Sequence, residues 1–188
     1  MRMFVALTPD DEALDELAEF LAPRLAADPT LRFVDRAQWH VTLAFLPDVP
    51  ARCLDDLQDR LARAALRRND FALAIAGGGA FPDVAAARVL YGSLDVPDGE
   101  ELSRLATGTR AAASRAGAAP DGGRFRPHLT LARSRVSQDL TRWVRVLETF
   151  QGAVWWAQRI ELVESRLGEG PGGRPVHEVV AGFPLGGP

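Results

Sequence analysis

The sequence predicts an α+β protein whose sheets are largely antiparallel and whose single domain spans residues 1–188. Short turns and helical segments both serve as connections between strand-like segments, which favours this class over a doubly wound parallel sheet. The segment at residues 40–45 recurs at residues 128–133, 88 positions later and close to half the chain length. Each half also reads as a strand, a helix, a motif strand, a second helix and a closing strand. We therefore expect two duplicated, closely packed lobes.

The first half is predicted to begin with a strand at residues 1–8, followed by a helix that Pro23 should kink or end. This helix carries leucines at helical spacing, namely Leu14, Leu17, Leu21 and Leu25. Two strands follow at residues 33–34 and 39–46. A proline-containing turn at residues 47–50 then leads into a second amphipathic helix, with Leu54, Leu57, Leu61 and Ala65 on one face.

A run of three glycines, residues 77–79, follows the alternating apolar residues of another strand at 71–75. We expect the glycines to form a turn that ends this strand. A phosphate-binding loop is disfavoured, since neither a lysine nor a serine or threonine follows at the required spacing and no helix begins directly behind the run.

The second half is predicted to contain a strand at residues 88–94 and a third helix that stops at Gly117. A glycine-rich loop at residues 118–126 leads into the second motif strand. We expect a fourth helix at about residues 138–150 and two final strands at about 157–167 and 176–183, joined by a flexible turn at 168–173. The terminal glycine-proline tail is expected to be loose.

The composition is that of an ordinary globular protein, with 47% hydrophobic and 25% charged residues. No apolar run is long enough to span a membrane. The N-terminus lacks the apolar core and cleavage site of a signal peptide, and the lone Cys53 has no partner for an internal disulfide. We therefore expect a cytoplasmic monomer in which Cys53 is a structural thiol within a helical pattern.

The net charge of −3 offers no global attraction to nucleic acid, so any RNA contact requires a local patch. All 22 basic residues are arginines, which suit bidentate phosphate contacts. The best patch surrounds the second motif and consists of Arg124, Arg126, Arg133 and Arg135. The alternative is that these arginine side chains are simply exposed to solvent and do not contact RNA.

Each copy of the motif places a histidine and a threonine two residues apart, and such positions share one side of a strand. His40 and Thr42 form one pair, and His128 and Thr130 form the other. Two such strands set face to face would surround a small anion with two imidazoles and two hydroxyls. One imidazole would accept a proton while the other donates one. This chemistry needs no metal or cofactor, and two histidines without nearby carboxylates make a poor metal site.

The two motifs resemble those of the 2H phosphoesterase superfamily, in its RNA 2′,3′-cyclic phosphodiesterase branch, also called 2′-5′ RNA ligase. The resemblance covers nearly the whole chain and rests on residues 2–7, 40–43, 81–82, 88–91, 125–133 and 162–167. It implies two pseudo-symmetric lobes around a central cleft, each a mainly antiparallel sheet with helices on its outer face.

The resemblance also implies that the protein hydrolyses a terminal 2′,3′-cyclic phosphate on RNA to a 2′-phosphate, with possible reverse ligation. His40 would be the general acid and His128 the general base, while Thr42, Thr130 and Arg133 would contact the phosphate. Strand alternation alone puts Arg133 on the face opposite His128. Its role therefore requires the strand to end or twist there.

The chain departs from the family pattern at two places. Family members usually carry a basic residue where this chain has Ala44, and a tyrosine where it has Val176-His177. His177 could replace an aromatic stacking contact, but a solvent-facing strand histidine is the favoured interpretation. These departures concern the preference for a substrate rather than the reaction.

Base recognition is the least constrained part of the prediction. Single-stranded RNA ends are held by aromatic stacking and arginine, so Arg126, Phe45, Phe81 and His177 are possible contacts. Trp39 and Tyr91 are further candidates for stacking, but large apolar residues prefer the interior, so a place in the core is the favoured interpretation of Trp39, Phe45, Phe81 and Tyr91 alike. Two other functions remain open: a phosphodiesterase for small cyclic nucleotides or ADP-ribose cyclic phosphate, and a nucleotide- or RNA-binding module without turnover.

Overall fold

A computed structural model describes residues 1–186 of the protein. The last two residues of the predicted tail, Gly187 and Pro188, lie outside the described residues. The nine strands are β1 (Met3–Leu7), β2 (Leu31–Phe33), β3 (Val41–Leu46), β4 (Phe71–Phe81), β5 (Ala87–Asp95), β6 (Leu129–Gln138), β7 (Gln151–Ala157), β8 (Arg159–Arg166) and β9 (Val176–Pro184). The four α-helices are α1 (Asp11–Leu21), α2 (Leu54–Ala65), α3 (Gly99–Arg115) and α4 (Thr141–Leu147).

The strands form one antiparallel sheet in the order β7-β4-β5-β6-β3-β1-β8-β9, with β2 paired to β6. At its centre β3 and β6 share a single register pair, Val41 with Leu129. This narrow connection separates one set of strands, β3-β1-β8-β9, from another, β6-β5-β4-β7. The α+β class with antiparallel sheets is therefore confirmed, and each set combines strands from both halves of the sequence.

Two hydrophobic clusters hold the helices on the sheet. Helices α2 and α3 pack in a cluster around residues such as Leu57, Leu61 and Leu105, and this cluster includes residues of β1, β3, β8 and β9 and also of β4 and β7. Helices α1 and α4 pack in a second cluster with β5 and β6, which includes Leu17 and Leu147. Burying leucines at helical spacing holds these helices on the sheet. None of the helices described within residues 1–186 is long and apolar enough to cross a membrane.

The predicted ends of two helices are confirmed. Helix α1 begins where the Asp10 side chain accepts a hydrogen bond from the Ala13 amide at 2.9 Å, and it passes into a short 3-10 turn just before Pro23. Helix α3 ends two residues before Gly117, whose φ of 81° lies in the left-handed region. Cys53 is the last residue of a 3-10 turn that leads into α2, and it is half-buried.

The prediction of a long fourth helix at residues 138–150 was wrong at both ends. Helix α4 has seven residues, and Gln138 instead ends β6. The sequence after it forms β7, a strand that the sequence analysis missed and that pairs with β4. In β7, Trp155 is buried whereas Val154 and Trp156 are exposed, as alternation in an edge strand requires. The apolar residues on both faces obscured this alternation in the sequence.

The glycine run does not end its strand, contrary to the prediction, because β4 continues through it to Phe81. The register with β5 shifts between Ile75 and Gly78, and Gly77 has a φ of 71°, so the run forms a bulge. A Cβ on Gly78 would lie 2.7 Å from Cβ of Leu147 and 2.8 Å from the Tyr91 carbonyl oxygen. The next glycine similarly leaves room for the Tyr91 ring. The glycines therefore allow α4 and β5 to approach β4 closely.

Candidate active site

Both motif histidines lie one residue before a central strand. His40 precedes β3, His128 precedes β6, and these strands meet at the pair Val41 and Leu129. The sheet thus brings two segments that are distant in sequence to its centre. This arrangement agrees with the predicted juxtaposition of the two copies.

A bulge interrupts β3 directly after its threonine. Two successive residues of β1 pair with Thr42 and with Ala44, which leaves Leu43 as an extra residue in β3. An extra residue reverses the alternation of side chains beyond it. Leu43 and Ala44 are therefore both buried in the core, while Thr42 and Phe45 are half-buried along the cleft.

A matching bulge interrupts β6. Successive residues of β5 pair with Thr130 and with Ala132, and Leu131 is the extra residue. Leu131 and Ala132 are buried, whereas Arg133 is exposed along the cleft on the side of Thr130. The expectation that Arg133 needs a local distortion of the strand is thereby met. The corresponding position in the first copy is Phe45, and Ala44 corresponds to the buried Ala132.

The two copies line one cleft with a volume of about 800 Å³. Its walls include the histidine, the threonine and the residue after the bulge from each copy: His40, Thr42, Phe45, His128, Thr130 and Arg133. The glycine-rich loop before β6 closes one side, and the Asp121 amide of this loop donates to the Phe45 carbonyl at 2.9 Å. The residues of the predicted composite site therefore line a single cavity.

Both imidazoles are oriented by the same type of hydrogen bond. Nδ1 of His40 lies 2.7 Å from the Gln38 carbonyl oxygen, and Nδ1 of His128 lies 2.6 Å from the Arg126 carbonyl oxygen. A carbonyl oxygen only accepts, so Nδ1 carries the proton in both rings. In the neutral state Nε2 is then the nitrogen that can accept a proton. Each ring is thus held in the tautomer required of a general base.

Aromatic rings fix the plane of His40. It stacks on Phe4 with the ring centroids 4.4 Å apart, and His177 meets it edge-on at 5.6 Å. The interpretation of His177 as a solvent-facing strand residue was wrong, since it lines the cleft. The register of β9 against β8 places it opposite Ser165 at the edge of the cleft. The tyrosine that the family usually carries here was the only sequence signal for this position.

A second aromatic group surrounds His128. Phe81 and Tyr91 stack at 4.4 Å, and their rings meet His128 edge-on at 4.9 and 5.4 Å. Phe81, one of the possible base contacts, lines the cleft, whereas Trp39 is buried in the core. Tyr91 is half-buried and supports both Phe81 and His128.

Burial lowers the pKa of all three histidines. For His40 burial is the main cause, and the charges of His177, His128 and Arg133 lower the pKa further, to about 4, against a raising effect of the Gln38 carbonyl. Burial and then Arg133 lower the pKa of His128, again opposed by a backbone carbonyl. The His177 pKa falls through burial and the charge of Arg2. Burial therefore favours the neutral form of all three imidazoles in the free protein.

The cleft is electropositive even though the chain is acidic overall. Two arginines at its rim are paired, Arg110 with Asp121 and Arg174 with Asp35. Among residues 1–186, the other arginines along the cleft have no carboxylate within 4.0 Å, namely Arg2, Arg32, Arg124, Arg126 and Arg133. The predicted patch is thus present, with two corrections: Arg135 does not line the cleft, and Arg2 and Arg32 do.

The described residues contain no group of three or more His, Cys, Asp or Glu side chains that is arranged to hold a metal ion. The cleft is lined by imidazoles, hydroxyls, guanidinium groups and aromatic rings, and its two carboxylates, Asp35 and Asp121, are paired with arginines. This set suits an anion that carries an organic group.

Proteins with similar sequences are named as enzymes that act on such an anion. A curated protein of Geobacillus stearothermophilus named RNA 2′,3′-cyclic phosphodiesterase is 28% identical over 184 residues, which are 97% of this chain and 56% of that protein. The chain thus spans little more than half the length of that relative. A protein of the same name from Archaeoglobus fulgidus is 30% identical over 133 residues, covering 71% of this chain and 72% of that one.

Solved structures share the fold. A protein of Thermus thermophilus matches with a TM-score of 0.79 and 29% identity, covering 100% of this chain and 99% of that one. Escherichia coli LigT in its apo form matches with a TM-score of 0.77 and 24% identity, covering 98% and 96% of the two chains. The family model described as LigT like phosphoesterase matches residues 7–91 and 94–172. The chain therefore belongs to the family of LigT-like phosphoesterases.

Proposed function

We propose that this protein hydrolyses the 2′,3′-cyclic phosphate at the end of an RNA to a 2′-phosphate, by a two-histidine mechanism that requires no metal. The observation that carries the proposal is the pair of oriented imidazoles, His40 and His128, in one cleft with two threonines and Arg133. The names of the curated relatives agree with this activity.

In the proposed reaction, Nε2 of His128 accepts a proton from water as the water oxygen bonds to phosphorus. The bond from phosphorus to the 3′ oxygen breaks, and Nε2 of His40 donates a proton to that oxygen. The 2′ bond is retained, so the product is a 2′-phosphate with a free 3′-hydroxyl. Each proton transfer of this kind contributes a factor of about 10² to 10⁴ to the rate.

The proposed division of roles is supported by the pKa values. The more strongly lowered pKa of His40 makes its protonated form the stronger acid, which favours donation to an alkoxide. His128, whose pKa is also lowered, has Arg133 beside it. A bound phosphate anion raises the pKa of both rings, because its negative charge favours the protonated imidazole. One of the two rings can then be protonated in the complex.

The remaining groups would hold the phosphate. Arg133 can offer two parallel N–H groups to the non-bridging oxygens, and the hydroxyls of Thr42 and Thr130 can donate one hydrogen bond each. These donors stand in place before the charge develops, which is the condition for stabilising a transition state. One chain contains all of these groups, so we propose that the monomer is active.

The decisive experiment uses chelator-treated protein and an oligoribonucleotide that ends in a 2′,3′-cyclic phosphate. We expect hydrolysis to a 2′-phosphate, with an oligomer of the same sequence ending in a linear 3′-phosphate as the unreactive control. A 3′-phosphate product would contradict the assigned roles. Binding without hydrolysis would indicate a binding module, and faster turnover of a cyclic mononucleotide or ADP-ribose cyclic phosphate would indicate a small-molecule substrate.

The same groups would also join RNA ends if a 5′-hydroxyl replaced water as the nucleophile. His128 would then deprotonate that hydroxyl, and the product would contain a 2′-5′ linkage. Water is in large excess in solution, so we expect hydrolysis to dominate. Incubation with a second oligomer that carries a 5′-hydroxyl, followed by analysis of the linkage, measures the ratio of the two products.

A further inference from the structure

Arg2 lies at the edge of the cleft in a position that the proposed reaction does not use. Its guanidinium carbon is 4.4 Å from the centre of the Phe45 ring, and both residues line the cleft. Its backbone is held by β8, because the Ser165 amide donates to the Arg2 carbonyl at 2.9 Å. A guanidinium stacked on an aromatic face keeps its N–H edges available to a ligand.

The two copies of the motif obtain a guanidinium group beyond the threonine in different ways. In the second copy the residue after the bulge is Arg133, which carries the guanidinium itself. In the first copy the same position is Phe45, and the guanidinium comes from the neighbouring chain segment before β1. The cleft therefore has an arginine beyond the threonine of each copy.

The two arginines act on different parts of the cleft. The charge of Arg133 lowers the pKa of both His40 and His128, as expected of a group beside the reacting phosphate. The charge of Arg2 lowers the pKa of His177, whose ring lies edge-on to His40 at a centroid distance of 5.6 Å. Arg2 has no carboxylate within 4.0 Å among residues 1–186, so its charge is not neutralised by a described side chain.

We propose that Arg2, held on Phe45, forms a second phosphate subsite that binds the phosphodiester adjacent to the cyclic phosphate end. This inference rests on the proposed function and specifies its substrate as an oligonucleotide rather than a mononucleotide. A cleft of about 800 Å³ lies in the upper part of the range of about 300 to 1,000 Å³ for ligand sites, which leaves room beyond one nucleotide.

The test compares the kcat/KM values for a trinucleotide ending in a 2′,3′-cyclic phosphate and for the cyclic mononucleotide. For Arg2→Gln we expect the ratio of trinucleotide to mononucleotide to fall about 10- to 100-fold, the effect of one lost hydrogen bond to a charged group. Arg63→Gln is the matched control, because Arg63 is exposed on α2 away from the cleft, and it should keep the wild-type ratio.

A second readout counts the phosphate directly. The slope of log KM for the trinucleotide against log salt concentration should decrease by about 0.7 in Arg2→Gln, which is the contribution of one phosphate contact on a single strand. Phe45→Leu should reproduce part of the loss, and the double variant should lose no more than Arg2→Gln alone, since the ring acts by holding the arginine.

An equal loss on both substrates would overturn the inference, because Arg2 would then serve the cyclic phosphate itself. An unchanged ratio and an unchanged salt slope would overturn it as well. Both results leave the proposed hydrolysis intact. Failure of the wild-type protein to hydrolyse either substrate would instead refute the proposed function, and this inference with it.

Discussion

The first copy of the motif ends on Phe45 and the second on Arg133, although a bulge turns both side chains toward the same cleft. The backbone has kept one geometry in the two copies while the side chains differ. The second copy carries its own charge, and the first receives a guanidinium from Arg2 through a ring contact of 4.4 Å. The two halves of the site therefore have equivalent backbones and different chemistry.

The two motif histidines likewise share a backbone hydrogen bond but have different surroundings. Both donate Nδ1–H to a backbone carbonyl two residues earlier. His40 is stacked on Phe4 and has His177 edge-on to it, whereas the contacts of His128 with Phe81 and Tyr91 are both edge-on. The pKa of His40 falls to about 4. Similar hydrogen bonds thus hold two rings with different acidity, which is what an acid and a base in one reaction require.

The largest expected effect comes from removing either imidazole. We expect His40→Ala and His128→Ala each to lower kcat by about 10² to 10⁴ on the cyclic phosphate oligomer. The double variant should be little slower than the worse single variant, because the two groups act in one step. Rates are measured together with thermal unfolding. A folded single variant that keeps the wild-type rate would refute the two-histidine mechanism.

A smaller effect is expected from Arg133, which has no counterpart of the same type in the first motif. Arg133→Gln should lower kcat about 10²- to 10³-fold, the cost of removing one preorganised donor. It should also move the pH profile of kcat/KM to higher pH, since Arg133 lowers the pKa of both histidines. Arg135→Gln, two residues along β6 and outside the cleft lining, is the control. Equal losses in the two variants would contradict a specific role for Arg133.

The burial of His40 predicts how the free energy of unfolding depends on pH. The folded pKa of His40 is about 4, below the ordinary 6.5, so the unfolded chain binds this proton more tightly. The contribution is fully present above pH 6.5 and is lost as the pH falls toward 4, by up to about 3 kcal/mol. Urea unfolding at pH 7 and pH 5 should show a flatter dependence for His40→Gln than for the wild type. An identical dependence would show that His40 is not the group responsible.

Much of the site was predictable from the sequence, because the chemistry lies in a repeated pattern. The spacing of a histidine and a threonine at i and i+2 is visible in one dimension, and so is its recurrence. The alternation rule failed beyond the threonines, where it predicted that Arg133 faces away from His128. A bulge depends on the register with the partner strand, and the sequence of β6 alone does not indicate that register.

Other features depended on contacts between distant segments. The glycines at 77–79 predicted a turn, yet β4 continues through them as a bulge against which Leu147 and Tyr91 pack. His177 and Arg2 join the site only through the pairing of β9, β8 and β1. Sequence patterns within one element could not locate these residues, because the sheet order determines which edges meet.

The most direct measurement replaces the 3′ bridging oxygen of the cyclic phosphate by sulfur, which leaves as a thiolate and needs no proton. We expect His40→Ala to regain about 10² or more of its lost rate on this substrate, because only the general acid becomes dispensable. His128→Ala should remain slow, since water still has to lose a proton. Equal rescue of both variants, or rescue of His128→Ala alone, would contradict the assignment of different roles to the two copies.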